Sequence, residues 1–130
     1  MTEHNKLVRY AHQAIKAYSD VMAYDTPSPQ VMATVGETDY CGKMISWTLD
    51  GSILRSVMVL NLESIKESAI NDNVSIEQMT LETLYHEWIH FIHSIEFPDS
   101  DDLRGTHSGD MWDCLIDIGL DNGFIHRRDI

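Results

Sequence analysis

The chain has 130 residues, an apolar fraction of 43% and a formal net charge of −12, from 21 acidic against nine basic side chains. That length and apolar fraction predict one domain with an ordinary core over residues 1–130, and no apolar run approaches the roughly 20 residues of a membrane span. The acidity is spread along the chain and repels nucleic-acid backbones, so direct DNA binding is disfavoured and a basic protein partner, or a protein or peptide substrate, is easier to reconcile.

At the N-terminus, Met1-Thr2-Glu3-His4-Asn5-Lys6 has no basic region followed by a hydrophobic stretch. No signal peptide is therefore expected, and the location is read as intracellular, cytoplasmic. Leu7, Ala11, Ala14, Ile15, Tyr18, Val21 and Met22 recur every three or four residues behind a Thr2 cap. This predicts an amphipathic helix within residues 1–24. Asp25-Thr26-Pro27-Ser28-Pro29 then reads as a turn, because its prolines deny backbone donors and push their predecessors out of the helical region. From 31 to 62 the period shortens. Val31–Val35, Lys43–Leu49 and Val57–Leu62 are β-prone runs broken by Gly36, Cys41-Gly42 and Asp50-Gly51, which predicts a small, mostly antiparallel three-stranded sheet. Residues 63–73 are ambiguous, a helical turn leading into Asn71-Asp72-Asn73. Cys41 and Cys114 are too few and too far apart for a disulfide framework or a four-thiolate metal module, and both read as reduced, half-buried residues.

Ser75-Ile76-Glu77-Gln78 fits a capping box, with the Ser75 hydroxyl and the Gln78 side chain each satisfying a free backbone donor. A helix over 76–95 follows, ended by the acidic loop Phe97-Pro98-Asp99-Ser100-Asp101-Asp102. A last helix over 107–119 should turn Met111, Trp112, Leu115, Ile116 and Ile118 inward and close at Gly119 or Asn122-Gly123. The predicted class is α+β: an N-terminal helix, the sheet, a metal-bearing helix and a C-terminal helix.

The chemistry lies on the helix over 76–95. His86 and His90, four apart, lean off one face and can grip one cation. Glu87 lies about 100° round from His86, poorly placed to share the grip but close enough to reach a water on the metal. Leu84, Trp88, Phe91 and Ile95 point to the far side, flanked by Leu81, Tyr85 and Ile92, so the histidine face is distinct from the core face. Residues in this pattern suit hydrolysis: one zinc ion per chain activates water, and Glu87 takes its proton as general base and returns it to the leaving group. An open catalytic zinc needs a third ligand. His107 is preferred, 17 residues after His90 and at the start of the last helix. Glu96 would extend His86-Glu87-x-x-His90-x-x-His93-x-x-Glu96 toward the metzincin spacing, but glycine is required where His93 stands and histidine where Glu96 stands. His93 shares the face, yet three ligands on one straight helix rarely close a tetrahedron.

Leu84-Tyr85-His86-Glu87-Trp88-Ile89-His90, a loop, then Gly105-Thr106-His107-Ser108-Gly109-Asp110-Met111-Trp112 resembles the SprT-like metallopeptidase domain of the Spartan/SprT family. The resemblance runs from about Val31 to Gly119. It implies zinc on His86, His90 and His107, with Glu87 catalytic. No cysteine pairs follow His107, so the zinc ribbon of many members is not expected, and Ser108 and Met111 depart from that family's usual glycine and large aromatic. Beyond the motif, Cys41 reads as a turn residue within possible reach of the metal. Tyr40, Tyr85 and Arg104 are potential oxyanion donors. Trp47, Trp88 and Trp112 read as core, and Asp99–Asp102 as a solvated loop able to select basic side chains.

Overall fold

A computed structural model of the chain describes residues 2–24, 28–36, 38–50, 52–96, 107 and 109–130. Helix α1 (Glu3–Met22) starts where expected: the Thr2 hydroxyl accepts the Asn5 N–H at 3.1 Å, satisfying one of the donors a helix start leaves free. It buries Leu7, Ala11, Ile15 and Tyr18. Val21, expected on that stripe, is 48% exposed instead. The Asp25-Thr26-Pro27 part of the predicted turn lies outside the described residues.

Strands β1 (Gln30–Thr34), β2 (Gly42–Leu49) and β3 (Ser52–Asn61) form one sheet in the order β1-β3-β2. β2 and β3 make an antiparallel hairpin with eight residue pairs, and β1 lies parallel to β3 with five. Antiparallel pairing is the larger part, as the sequence predicts, but the sheet is mixed. Alternation along the strands turns Val31, Ala33, Met44, Met58 and Leu60 toward the helices. Trp47, predicted in the core, lies on the sheet at 49% exposure with the Arg55 guanidinium 5.5 Å from its ring.

Helix α2 (Leu62–Asp72) fills the stretch the sequence leaves ambiguous. Its cap is Asn61, the last residue of β3, whose Oδ1 accepts the Ser64 N–H at 2.8 Å. Helix α3 (Ile76–Glu96) opens with the Ser75 hydroxyl accepting the Gln78 N–H at 3.0 Å. The reciprocal half of the predicted capping box is not made, because the Gln78 amide donates to Glu82 at 3.1 Å. Helix α4 (Asp110–Asp121) starts three residues after His107 rather than on it, with Gly109 as cap at φ 105°. Trp112, Leu115 and Ile116 are buried, while Met111 and Ile118 pack partly against the core. Asn122-Gly123 closes α4; Gly119 sits inside the helix, where an added Cβ would lie 2.7 Å from the Tyr85 ring. Beyond α4 the chain returns without regular structure, anchored by the Phe124 N–H on the Gly119 carbonyl at 2.8 Å and by fully buried Ile125.

α3 is the pivot of the fold. Tyr85 and Trp88 pack on Tyr18 of α1 and the Tyr85 hydroxyl reaches α4, Leu84, Phe91 and Ile92 are buried in the same core, and Thr83 and Glu87 bury against Gly42 of the sheet. Burial on two sides fixes the helix, and hence its polar residues, in position. Among the described residues no helix is long and apolar enough to cross a membrane.

Candidate metal centre

One turn apart on α3, His86 and His90 bring their Nε2 atoms to 3.0 Å. His107, on the segment leading into α4, places its Nε2 3.2 Å from that of His90. The three ligand atoms all lie within 4.8 Å of one another, and this is the group of potential metal ligands among the described residues. The first turn of α4 supplies Trp112, whose ring lies 5.6, 6.5 and 5.3 Å from those of His86, His90 and His107. This side chain, expected only as core, is buried and also walls the imidazole cluster.

Such an arrangement fits a divalent cation. A ring nitrogen carries either a proton or a lone pair, and burial holds His86 and His90 unprotonated, each down to about 4 with its neighbouring histidines reinforcing the shift. Converging neutral imidazoles thus offer lone pairs to one point. A tetrahedral ion with bonds of about 2.0–2.1 Å separates its nitrogen ligands by roughly 3.3 Å, close to the His86–His90 and His90–His107 spacings. An all-imidazole donor set suits zinc, copper or nickel better than magnesium or calcium.

Glu87 stands beside this cluster and outside it. Its side chain is buried, its Oε2 has no hydrogen-bond partner among the described residues, and burial pushes its pKa up to about 7. The site therefore has the form of a His-Glu-x-x-His motif with a distal third histidine and a non-ligand glutamate. Room for that carboxyl comes from Gly42 at the start of β2: a Cβ there would lie 2.9 Å from Thr83 Cγ2 and 3.2 Å from Glu87 Cγ. The sequence presents Gly42 only as a strand breaker; its role depends on packing across two elements.

Two cavities meet at Glu87. One, of about 430 Å³, is lined by Lys43, Met44, Ile45 and Ser46 with His90 and Ser94. Four consecutive residues of β2 on one wall mean that the strand's edge, unpaired among the described residues, borders it rather than a single face. The other, of about 230 Å³, is lined by Gly42, Thr83 and His86 and by Glu82, Arg127 and Ile130. Arg127 grips buried Glu82 through Nε and Nη2 at 2.7–3.0 Å and reaches Asp72 at 2.9 Å. Ile130 lines this cavity beside His86. The Arg127–Glu82 contact is not visible in the sequence, since the two residues are 45 apart and belong to no motif.

Other candidates are placed elsewhere. Glu96 accepts the Tyr24 hydroxyl at 2.5 Å, and His93 lies outside the imidazole cluster. The Cys41 thiol is 3.1 Å from the Ser68 hydroxyl, turned to α2, and Cys114 is exposed rather than half-buried. The Tyr85 hydroxyl is buried on the core side and donates to the Leu115 carbonyl, so it does not serve an oxyanion; Tyr40 carries the Lys43 ammonium over its ring at 4.7 Å. Arg104 and Asp99–Asp102 lie outside the described residues. Comparison with family models, with curated proteins and with solved structures yields no match to the chain.

Proposed function

We propose that the protein is a zinc-dependent metallohydrolase of the SprT-like kind, a peptidase acting on protein or peptide, with His86, His90 and His107 as zinc ligands and Glu87 as general base. The observation that carries this reading is the convergence of three imidazoles beside buried Glu87, whose Oε2 has no hydrogen-bond partner among the described residues. Three protein ligands leave a coordination position open, as catalytic zinc requires and structural zinc does not. Bound zinc would polarise a carbonyl and make water acidic near neutral pH. Glu87, raised toward neutrality by burial, is matched to taking a proton at Oε2 and giving it to a leaving amine. The outer edge of β2, unpaired among the described residues, offers backbone donors and acceptors to an extended polypeptide beside Glu87 and His90, which favours a peptide substrate over a compact one. DNA is disfavoured as a direct ligand, since of nine basic residues Lys66, Arg127 and Arg128 are already in ion pairs.

The deciding experiment compares wild type with Glu87→Gln for metal content and for chelator-sensitive cleavage of an unfolded polypeptide. Retained zinc with abolished cleavage is expected; equal turnover in both proteins rejects the assignment. The charge of −12 favours a second reading, an acidic binding protein with zinc as a brace. Zinc bound without any cleavage by wild type would select that alternative.

A further inference from the structure

The three imidazoles are not held alike. His86 and His90 ride on α3, which is buried on two sides, whereas His107 lies outside any helix or strand, is exposed, and precedes α4 by three residues. A side chain on such a connection has rotamer and backbone freedom to lose when it joins a metal, so its place in the cluster needs a cause. Trp112 touches all three rings: its own ring lies 5.3 Å from that of His107 at an interplanar angle of 76°, 5.6 Å from His86 at 78° and 6.5 Å from His90 at 50°. These separations are ones at which aromatic rings attract, and edge-on contact is among the preferred geometries. Trp112 is itself fixed. It is buried in the first turn of α4, where the Asp113 N–H closes on the Gly109 carbonyl at 3.0 Å. Leu115 and Ile116 of the same helix lie in the core, and the Leu115 carbonyl accepts the Tyr85 hydroxyl of α3. Glu87 lines both cavities beside the cluster, and Trp112 is not among the described residues that line either, so its ring is a wall rather than a surface for substrate.

We infer that Trp112 is a positioning residue for the metal centre: its ring holds His107 against His86 and His90 before any ion arrives, so that the third ligand is already in place. The inference rests on the metal-site reading proposed above. Ordering a ligand in advance removes an entropic cost from binding, and outer residues that orient ligand rings are typically worth about 10–100-fold in metal affinity. A leucine at this position fills much of the space yet presents no ring, whereas a phenylalanine keeps one.

The test titrates the metal-free protein with Zn2+ and Co2+. It compares wild type, Trp112→Phe, Trp112→Leu and Ile65→Val, the last a core change in α2 outside the imidazole cluster. A wild type that takes up neither ion ends the metal-site reading and this inference with it. With wild type binding one ion, Trp112→Leu is expected to bind about 10–100-fold more weakly, with altered Co2+ visible bands, while Trp112→Phe and Ile65→Val stay near wild type. Wild-type affinity and bands in Trp112→Leu overturn the positioning role and leave the metal site standing. A loss in Ile65→Val or in Trp112→Phe as large as that in Trp112→Leu overturns it too, the first by assigning the effect to general stability and the second by denying the ring its part. A readout that needs no variant is the nuclear Overhauser spectrum of metal-free wild type. Cross-peaks between the His107 imidazole and the Trp112 indole support the inference, and their absence before metal is added overturns it.

Discussion

Each side of α3 has a glycine pressed against it. On the core side Gly119 of α4 abuts the ring of Tyr85, and on the sheet side Gly42 of β2 abuts Thr83 and Glu87. The surroundings differ. On the core side aromatic rings pack edge-on and tilted, Tyr18 against Tyr85 and Phe124 at 5.2 and 4.7 Å, and the Tyr85 hydroxyl and Trp88 indole N–H both have acceptors; the Tyr18 hydroxyl is the exception. On the other side the helix carries imidazoles crowded at 3.0–3.2 Å and a carboxyl whose Oε2 has no hydrogen-bond partner among the described residues. Close packing stabilises the first side, whereas the second spends stability to hold polar groups ready for a ligand.

Substitutions on the two sides should therefore separate stability from chemistry. The largest effect is expected from Glu87→Gln, which should lower peptide hydrolysis by about 10²–10⁴-fold with metal content unchanged, read by initial rates and elemental analysis. Next is Trp88→Ala on the core side, costing about 3–5 kcal/mol in denaturant unfolding; His90→Ala should abolish tight zinc binding yet leave metal-free stability nearly intact, and a large loss of stability there would erase the contrast. The two glycines give a finer test. Gly119→Ala should cost roughly 1–3 kcal/mol through overpacking on Tyr85 with zinc affinity kept, whereas Gly42→Ala should displace Glu87 and reduce kcat more than it reduces stability.

Smallest is a pH effect on the metal-free protein. Burial holds His86 and His90 at about 4 against an ordinary 6.5, so the unfolded chain binds more protons in that window and stability falls as pH drops through it. Glu87, raised from 4.5 to about 7, has the opposite sign: its contribution is full below 4.5 and is lost as pH rises through 7. Two imidazoles outweigh one carboxyl, so the net trend is acid destabilisation, and Glu87→Gln should steepen it. Chemical denaturation across that pH window measures both slopes, and parallel slopes would count against a buried Glu87 carboxyl.

Local patterns made much of this readable in advance. The four-residue spacing of His86 and His90, the Ser75 cap and the apolar back face are properties of one helix, and periodicity alone places them. His107 was reachable because a short connection can return it to the preceding helix. α2 was obscure since it buries only Leu62, Ile65 and Ala69 and takes its cap from the end of a strand. The parallel pairing of β1 with β3 was hidden for a different reason: strand patterns specify faces, not neighbours. Gly42, Trp112 and the Arg127–Glu82 contact act across elements far apart in the chain, where no period carries a signal.

The strand order has a consequence for how the protein reaches this state. β2 and β3 join through a tight turn at Asp50, with Thr48 paired to Ile53, whereas Val31 must find Met58 across 27 residues. Chain closure costs least for the hairpin, so it should nucleate first and β1 dock afterwards. Gly42, which makes room for the carboxyl, thus belongs to the early-forming unit, while His107 arrives with the later C-terminal half. Refolding experiments should find tertiary signal from the hairpin before any capacity to retain a metal.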